Sequence, residues 1–158
     1  MDTDPDSSSS TQTSSGTAVR QFSVMLENRA GALLALVRLM NAELVDVLGL
    51  SVQDSYDTTV VRIIVSDPDT VETLFIEKGI SFATCEILVV ELKEGPTALG
   101  SCLTALLRAE TNICFSYPLL IQPNEKSLLA LRVDDNDFGR DVLHANGIKV
   151  LFQEDLSR

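Results

Sequence analysis

Apolar and polar residues alternate where the regular part of the chain begins, and the spacing then becomes helical. The alternating apolar residues are Phe22, Val24 and Leu26. Their alternation predicts a β-strand over 21–26. After a short polar break at 27–30, apolar residues recur every three or four positions, which predicts a helix over 32–42. Gly31 lies at the junction of the two elements.

The pattern then predicts a hairpin, a second helix and a long strand. Two strand-like segments, 44–52 and 60–65, are separated by a polar turn. The S-D-P-D sequence at 66–69 is typical of a helix start, because a side-chain oxygen can cap the helix and proline suits its first turn. Gly79 is placed to end that helix, and 80–92 is a β-rich run. The order is strand, helix, strand, strand, helix, strand.

The same order returns in the second half of the chain. A predicted helix has apolar residues 66 positions after those of the first helix, at Leu99, Cys102, Leu103 and Leu106. Strands follow near 112–120 and 127–133. The R-V-D-D-N-D sequence and its following G-I match I-V-S-D-P-D and its G-I at a shift of 68. A repeat of this length indicates a duplicated unit, in which 80–92 serves both copies.

We therefore expect an α+β protein of two tandem ferredoxin-like βαββαβ units, with antiparallel sheets joined side by side and helices on one face. The first unit is assigned to 18–86 and the second to 87–158. Residues 1–17 are rich in serine and aspartate and have almost nothing apolar to bury, so we expect this tail to be disordered.

Charge and composition narrow the classes of function. The formal net charge of −11 argues against binding to nucleic acid or to anionic membrane surfaces. No apolar run approaches the ~20 residues of a membrane span, and the N-terminal segment does not resemble a secretory signal. A cytoplasmic location is expected. Three widely spaced cysteines and a single histidine indicate free thiols, with no metal site and no cofactor.

The junction at Gly31 carries the candidate chemistry. A strand that turns tightly into a helix leaves unpaired N–H groups at the helix start. These groups and the helix dipole favour a small anion such as a carboxylate, and a glycine lets a ligand approach the backbone. On this stretch alone, a plain strand-to-helix connection is the simpler interpretation.

With the repeat, the L-E-N-R-A-G-A-L segment at 26–33 and the following L-V-D-V-L-G-L-S-V resemble the ACT domain. The turn is most similar to that of the regulatory small subunit of acetolactate synthase. The resemblance covers nearly all of 20–153 as two ACT units, more closely in the first. Those small subunits normally carry one ACT unit and a different C-terminal domain, so this chain is more similar to a stand-alone tandem ACT protein.

The resemblance implies a non-catalytic regulatory protein that binds a small effector, most often an amino acid, where two units meet. The residues it assigns to the site are Asn28, Arg29, Ala30, Gly31, Ala32, Leu33, Asn112 and Ile113. The residues of the corresponding second site are Asp46, Glu94 and Thr97.

The second site is expected to be degenerate. Thr97 stands where Gly31 stands, at a shift of 66, and would add a side chain against the ligand. The carboxylates of Asp46 and Glu94 would repel the carboxylate of an amino acid. One working site per chain is predicted.

Several partners and functions stay open at this point. Candidate partners are a free amino acid, branched-chain amino acids included, a separate biosynthetic enzyme such as acetolactate synthase, and a second copy of the chain through edge strands or helices. An assembly module without a ligand is one alternative. A small hydrolase of the acylphosphatase kind is another, although the sequence shows no glycine-rich phosphate loop and no Ser-His-Asp set.

Overall fold

The computed structural model describes residues 16–157, and these residues fold into two successive units. The first unit contains β1 (Val19–Glu27), α1 (Ala32–Ala42), β2 (Val47–Ser55), β3 (Thr58–Val65), α2 (Pro68–Glu77) and β4 (Phe82–Leu92). The second unit continues with α3 (Pro96–Arg108), β5 (Ile113–Pro118), a 3-10 turn (Pro123–Glu125), β6 (Ser127–Val133), α4 (Asn136–Ala145), β7 (Val150–Leu151) and α5 (Gln153–Leu156). The predicted α+β class and the tandem βαββαβ order are confirmed.

The two units share strand β4. Its first part, 82–87, pairs antiparallel with β1, and its second part, 88–92, pairs antiparallel with β6. The strand order is β2-β3-β1-β4-β6-β5, with β7 also paired to β4. The domain division predicted between residues 86 and 87 falls where β4 changes partners, and it stays a prediction.

The sheet curls until its two outermost strands meet. Gly49 in β2 forms an isolated antiparallel bridge with Leu119, just beyond β5. The Leu120 N–H also donates to the Leu48 carbonyl at 2.7 Å. Strand twist of one hand, accumulated over several strands, is the physical origin of such curling. The sheet therefore has an inner face, toward the space that it encloses, and an outer face.

Apolar side chains cover both faces because successive residues of a strand point to opposite sides. The buried residues of the inner face are Val19, Leu48, Ile64, Ile87, Val89, Tyr117, Leu119, Leu128, Ala130, Leu151 and Leu156. On the outer face, α1 and α2 cover one core that includes Phe22 and Ile63. Helices α3 and α4 cover another core that includes Leu88 and Leu131. No helix within 16–157 is long and apolar enough to span a membrane.

The duplication is visible in the backbone as well as in the sequence. β2 and β5 each contain a bulge, at 47–49 and at 113–115, and the two bulges are 66 residues apart. Asp67 and Asp135 are the N-caps of α2 and α4, and each accepts a hydrogen bond from the N–H three residues later. The predicted helix start is thereby confirmed, and it occurs once in each unit.

β2 begins later than the apolar pattern predicts. The predicted strand is 44–52, whereas β2 is Val47–Ser55. Leu44 has a positive φ of 58°, and the Val45 N–H donates to the Met40 carbonyl at 3.1 Å. Both residues therefore belong to the C-terminal end of α1, where a left-handed residue ends the helix. The Val45 side chain packs under the helix against Leu36 and Met40, and the sequence pattern does not distinguish such a buried residue from one in a strand.

The described ends of the chain are joined to each other. Most of the predicted tail, 1–17, lies outside the described residues, but the Thr17 carbonyl accepts a hydrogen bond from the Gln153 N–H at 2.8 Å. The buried Gln153 side chain accepts from the Arg20 N–H at 3.2 Å and donates to the Val65 carbonyl at 3.1 Å. Helix α5 therefore fixes the start of β1 to the end of β3.

We predict that Gln153→Ala lowers the free energy of unfolding by about 1–3 kcal/mol, because the partly buried N–H of Arg20 and the buried carbonyl of Val65 lose their partner. Urea denaturation measures this change. The control is Gln122→Ala, since that glutamine is exposed, and it should alter stability by less than about 0.5 kcal/mol. Equal effects of the two substitutions would contradict the role of Gln153.

Candidate functional site

The start of α1 exposes backbone donors that no side chain satisfies. Gly31 is the N-cap, with a φ of 86°, and the helix has neither a side-chain cap nor an acidic residue in its first turn. Within the described residues, the N–H groups of Leu33 and Leu34 have no hydrogen-bond partner. A Cβ placed on Gly31 would meet no atom within 4 Å. We call Gly31 and this first turn, 31–34, the helix entrance.

The residues before the helix entrance form an exposed polar turn. The Asn28 amide donates to the Asp54 carboxylate in β2 at 3.2 Å. The Arg29 side chain lies 3.5 Å from the Glu27 carboxylate, and both are largely exposed. Ala30 is exposed as well. The turn is therefore held against the hairpin of its own unit, with its polar atoms open to solvent.

The turn runs directly into the helix. The Ala32 N–H donates to the Arg29 carbonyl in a long hydrogen bond of 3.4 Å, and the Ala35 N–H makes the first helical bond to the Gly31 carbonyl at 2.9 Å. Leu33 is partly buried against the core beneath α1. The helix entrance thus places free N–H groups next to an apolar side chain.

Asn112 lies just before β5 in the second unit. Its backbone N–H and its side-chain amide both donate to the Asp134 carboxylate, at 3.2 and 3.0 Å. Ile113 follows as the first residue of β5. Among the described residues, no hydrogen bond joins Asn112 to the turn at 28–31. The Asp134 N–H in turn donates to the Asn112 backbone carbonyl at 3.2 Å, so Asn112 lies in an ordered network of its own unit.

Asp46 occupies the place in the first unit that Asn112 occupies in the second. Its N–H donates to the Ser66 hydroxyl at 2.9 Å, and its carbonyl accepts from the Ser66 N–H at 3.0 Å. Ser66 and Asp134 both directly precede the aspartate that caps the following helix.

The seam, by which we mean the facing edges of β2 and β5, is closed at one end. The bridge between Gly49 and Leu119 closes it near the start of β2. Because that contact is antiparallel, Asp54, five residues after Gly49, is level with Cys114, five residues before Leu119. In the described part of the chain no backbone hydrogen bond joins β2 to β5 at that level. The open end of the seam is the end that carries Asn28.

The seam therefore breaks the symmetry of the duplication. Leu48 and Leu120 are joined by a backbone hydrogen bond. Their counterparts in the other unit, at a shift of 66, are Cys114 and Asp54, and no backbone hydrogen bond joins these two residues. The predicted site between the helix entrance and Asn112 belongs to the open end. The site predicted to be degenerate belongs to the closed end.

The second strand-to-helix turn differs from the prediction. Helix α3 starts two residues earlier than the shift of 66 implies, so Gly95, with a φ of 59°, is its N-cap and Thr97 lies inside its first turn. Gly95, and not Thr97, therefore stands where Gly31 stands, and the degeneracy of the second site stays a prediction. Two chemical differences remain. Pro96 has no N–H to offer, and Glu94 lines a cavity of about 140 Å³ together with Lys93 and Lys149.

A buried hydrogen bond between the units was not predicted from the sequence. The Tyr117 hydroxyl, from β5, donates to the Gln21 side-chain carbonyl of β1 at 2.6 Å, and both residues are buried. Burial raises the pKa of the Tyr117 phenol well above its ordinary value of 10.0; the nearby Cys85 thiol also raises it, and Arg62 lowers it. A glutamine in an alternating apolar strand was the available signal, because a buried amide requires a partner.

Two larger surface cavities lie away from the residues predicted for the first site, although Thr97 of the second site lines one of them. A cavity of about 390 Å³ beside α2 is lined by Glu43, Asp69 and Glu77, whose charges disfavour a carboxylate. A cavity of about 460 Å³ lies between α3 and the end of α4. Within residues 16–157, no cluster of three or more histidine, cysteine, aspartate or glutamate side chains could hold a metal ion.

Comparisons with solved structures support the fold. The chain superimposes on the crystal structure of protein BT0572 from Bacteroides thetaiotaomicron with a TM-score of 0.82 at 22% identity, covering 90% of this chain and 98% of that one. It superimposes on the regulatory subunit of aspartate kinase from Thermus thermophilus with a TM-score of 0.58 at 8% identity, covering 82% and 92% of the two chains. At these identities the similarity concerns the fold alone.

The sequence comparisons are of two kinds. A family model described as "ACT domain pair" matches residues 17–158, which is nearly the whole described chain. No curated protein matches the chain significantly.

We predict that the Tyr117 phenol stays protonated in the folded protein as the pH rises through 10.0. The chain has two tyrosines and no tryptophan, so phenolate absorbance of the Tyr56→Phe variant reports Tyr117 alone. Because the pKa of Tyr117 is raised on folding, its contribution to stability is complete below pH 10.0 and is lost as the pH rises above it. Tyr117→Phe should remove that part of the alkaline loss of stability. A rise of phenolate absorbance near pH 10 in the folded Tyr56→Phe variant would contradict the buried hydrogen bond.

Proposed function

The chain belongs to the family of ACT domain pairs, and on that premise we propose that it is a non-catalytic regulatory protein that binds an amino acid between its two units. The observation that carries the proposal is the helix entrance, with its unpaired N–H groups and its uncovered Gly31. Backbone donors at a helix start, together with the helix dipole, form a site for a carboxylate.

The proposed site extends from the helix entrance across the open end of the seam. The ligand carboxylate would accept hydrogen bonds from the first turn of α1, with Leu33 beside the ligand's side chain. Asn28 and Asn112 would bind its polar groups from opposite sides. The remaining members of the proposed site are Arg29, Ala30, Ala32 and Ile113.

We propose that one such site works in each chain. At the opposite end, the bridge between Gly49 and Leu119 closes the seam. There the second helix start carries Pro96 in place of an N–H donor, and the Glu94 carboxylate directly precedes its N-cap, Gly95. A closed seam leaves less room for a ligand, and a carboxylate repels an amino acid's carboxylate.

Binding across the seam supplies a regulatory mechanism. A ligand that contacts both units binds most tightly to the arrangement of the units in which both sets of contacts form. The difference in binding free energy between this arrangement and the others is available for signalling. We propose that a separate biosynthetic enzyme receives this signal. We further propose acetolactate synthase as that enzyme and a branched-chain amino acid as the effector, because the L-E-N-R-A-G-A-L segment resembles the turn of that enzyme's regulatory small subunit.

An assembly module is the second candidate function. The edges of β2 and β5 have unpaired backbone groups at the open end of the seam, and such edges can pair with another chain. The two candidate functions differ in ligand binding. A regulatory protein of this kind binds a free amino acid, whereas an assembly module does not require one.

We predict that at least one of the twenty amino acids raises the melting temperature, by roughly 5–10 °C at about 100 times its Kd. Gly31→Asp should abolish that rise, because the new carboxylate occupies the helix entrance and repels the ligand. Gly31→Asn has nearly the same shape without the charge and should retain much of it. Gly79→Asp, at a comparable φ of 68°, controls for backbone strain and should leave the rise unchanged. A rise that survives Gly31→Asp would place the ligand elsewhere.

We also predict a stoichiometry of one amino acid per chain, measured by isothermal titration calorimetry with the amino acid that raises the melting temperature most. The closed seam and Glu94 disfavour the second site. Two equivalent sites per chain would show that the asymmetry of the seam has no effect on binding.

A further inference from the structure

The inner face of the sheet is packed at one end and open at the other. Along β1, Val19 and Gln21 point inward and are buried, whereas Met25, on the same face, is 67% exposed. Cys85 and Ala83 of β4 lie on the same face, opposite Gln21 and Ser23, and they are partly or fully exposed. The space between the two halves of the sheet is therefore accessible from this end, on the side of the sheet opposite to the helices.

Arg62 lies at the centre of this open end. It is in β3, and its direct cross-strand neighbours are Ser23 in β1 and Ser51 in β2. Side chains that are paired across adjacent strands point to the same face and have Cβ atoms about 4.5–5.5 Å apart. Three adjacent strands thus present a hydroxyl, a guanidinium and a second hydroxyl in one row on the inner face.

The second unit completes the arrangement. The Arg62 guanidinium lies over the ring of Phe115 in β5, 4.4 Å from its centroid. Arg132 of β6 is the cross-strand partner of Phe115 and is exposed. The Phe115 ring is also stacked on Tyr117, at a centroid distance of 6.2 Å. The aromatic ring fixes the position of the guanidinium and forms an apolar wall beside it.

Arg62 in this row and the neighbouring Arg132 have no internal counterion among residues 16–157. Neither Arg62 nor Arg132 has a carboxylate within 4.0 Å there, and one Arg62 N–H group donates to the neutral side chain of Gln53 at 3.2 Å. Acidic residues outnumber basic ones by 23 to 12 in the chain, and yet none of the described carboxylates forms an ion pair with these two arginines. A partly buried guanidinium with free donors is suited to a carboxylate or a phosphate.

We propose that this row, Ser23, Arg62 and Ser51, binds the carboxylate of a small organic acid whose apolar part packs against Phe115 and Met25. The partly buried ring of Phe115 and the exposed Met25 favour an organic carboxylate over inorganic phosphate, which has no apolar part to bury. This site differs from the helix entrance, because it lies on the inner face whereas α1 covers the outer face. It does not depend on the proposed amino-acid site.

The test is isothermal titration calorimetry of the full chain with 4-methylpentanoate, with the neutral 4-methylpentanamide and with inorganic phosphate, all at the same ionic strength. We expect 4-methylpentanoate to bind about tenfold or more tightly than the other two probes, since a charged hydrogen bond and apolar burial are both required. Comparable binding of phosphate, or of the amide, would overturn the proposed ligand class. Absence of carboxylate binding would overturn the site.

Variants locate the binding. Arg62→Gln should weaken 4-methylpentanoate binding about tenfold or more. Arg108→Gln removes the same charge from an exposed position on α3 and should change it less than about twofold. If the circular dichroism spectrum shows that Arg62→Gln disturbs the fold, Ser51→Ala replaces it as the test. This milder change at a partly exposed strand position should weaken binding about threefold or more. Equal losses in the two arginine variants would reduce the effect to general electrostatics and contradict the site.

Gly31→Asp separates this site from the proposed amino-acid site. Binding of 4-methylpentanoate that persists in Gly31→Asp but fails in Arg62→Gln supports the inner-face site, whatever the outcome of the amino-acid screen. Binding that fails in Gly31→Asp and persists in Arg62→Gln assigns the carboxylate to the helix entrance and overturns the inner-face site.

Discussion

The pairing of β4 with strands of both units is the constraint on which the structure depends. Residues 82–87 complete the first sheet through β1, and residues 88–92 begin the second through β6. Because one strand belongs to both sheets, the units are not linked by a flexible segment, and strand twist turns them toward each other. The inner core and the bridge between Gly49 and Leu119 follow from this geometry. The helix entrance is consequently held in a fixed relation to the second unit.

The chain contains two similar units, and we expect the ligand site at the positions where they differ. The bulges of β2 and β5 repeat at a shift of 66, but the seam between these strands is bonded at only one end. Helices α1 and α3 both begin at a glycine without a side-chain cap, but the first residue of α3, Pro96, has no N–H. A ligand that needs backbone donors and an open seam therefore has one suitable end. The inner face offers different chemistry, with a guanidinium in place of backbone donors.

The local features were readable from the sequence, because each depends on residues close together in the chain. The cap at Asp67, the order of strands and helices, and the repeat itself are of this kind. The closing bridge and the hydrogen bond between Tyr117 and Gln21 join residues far apart in sequence, and no local pattern specifies such contacts. The position of Gly95 was missed because the apolar face of a helix fixes its rotation and not the residue at which it begins.

Amide chemical shifts test the account most directly. A titration of the isotope-labelled chain with the amino acid that raises its melting temperature most should move the amide resonances of residues 31–34 and the side-chain amide of Asn112, because these groups bind the ligand in our proposal. The resonances of residues 95–98, at the start of α3, should remain in place. Large shifts at 95–98 without shifts at 31–34 would contradict the assignment of the site to the open end of the seam.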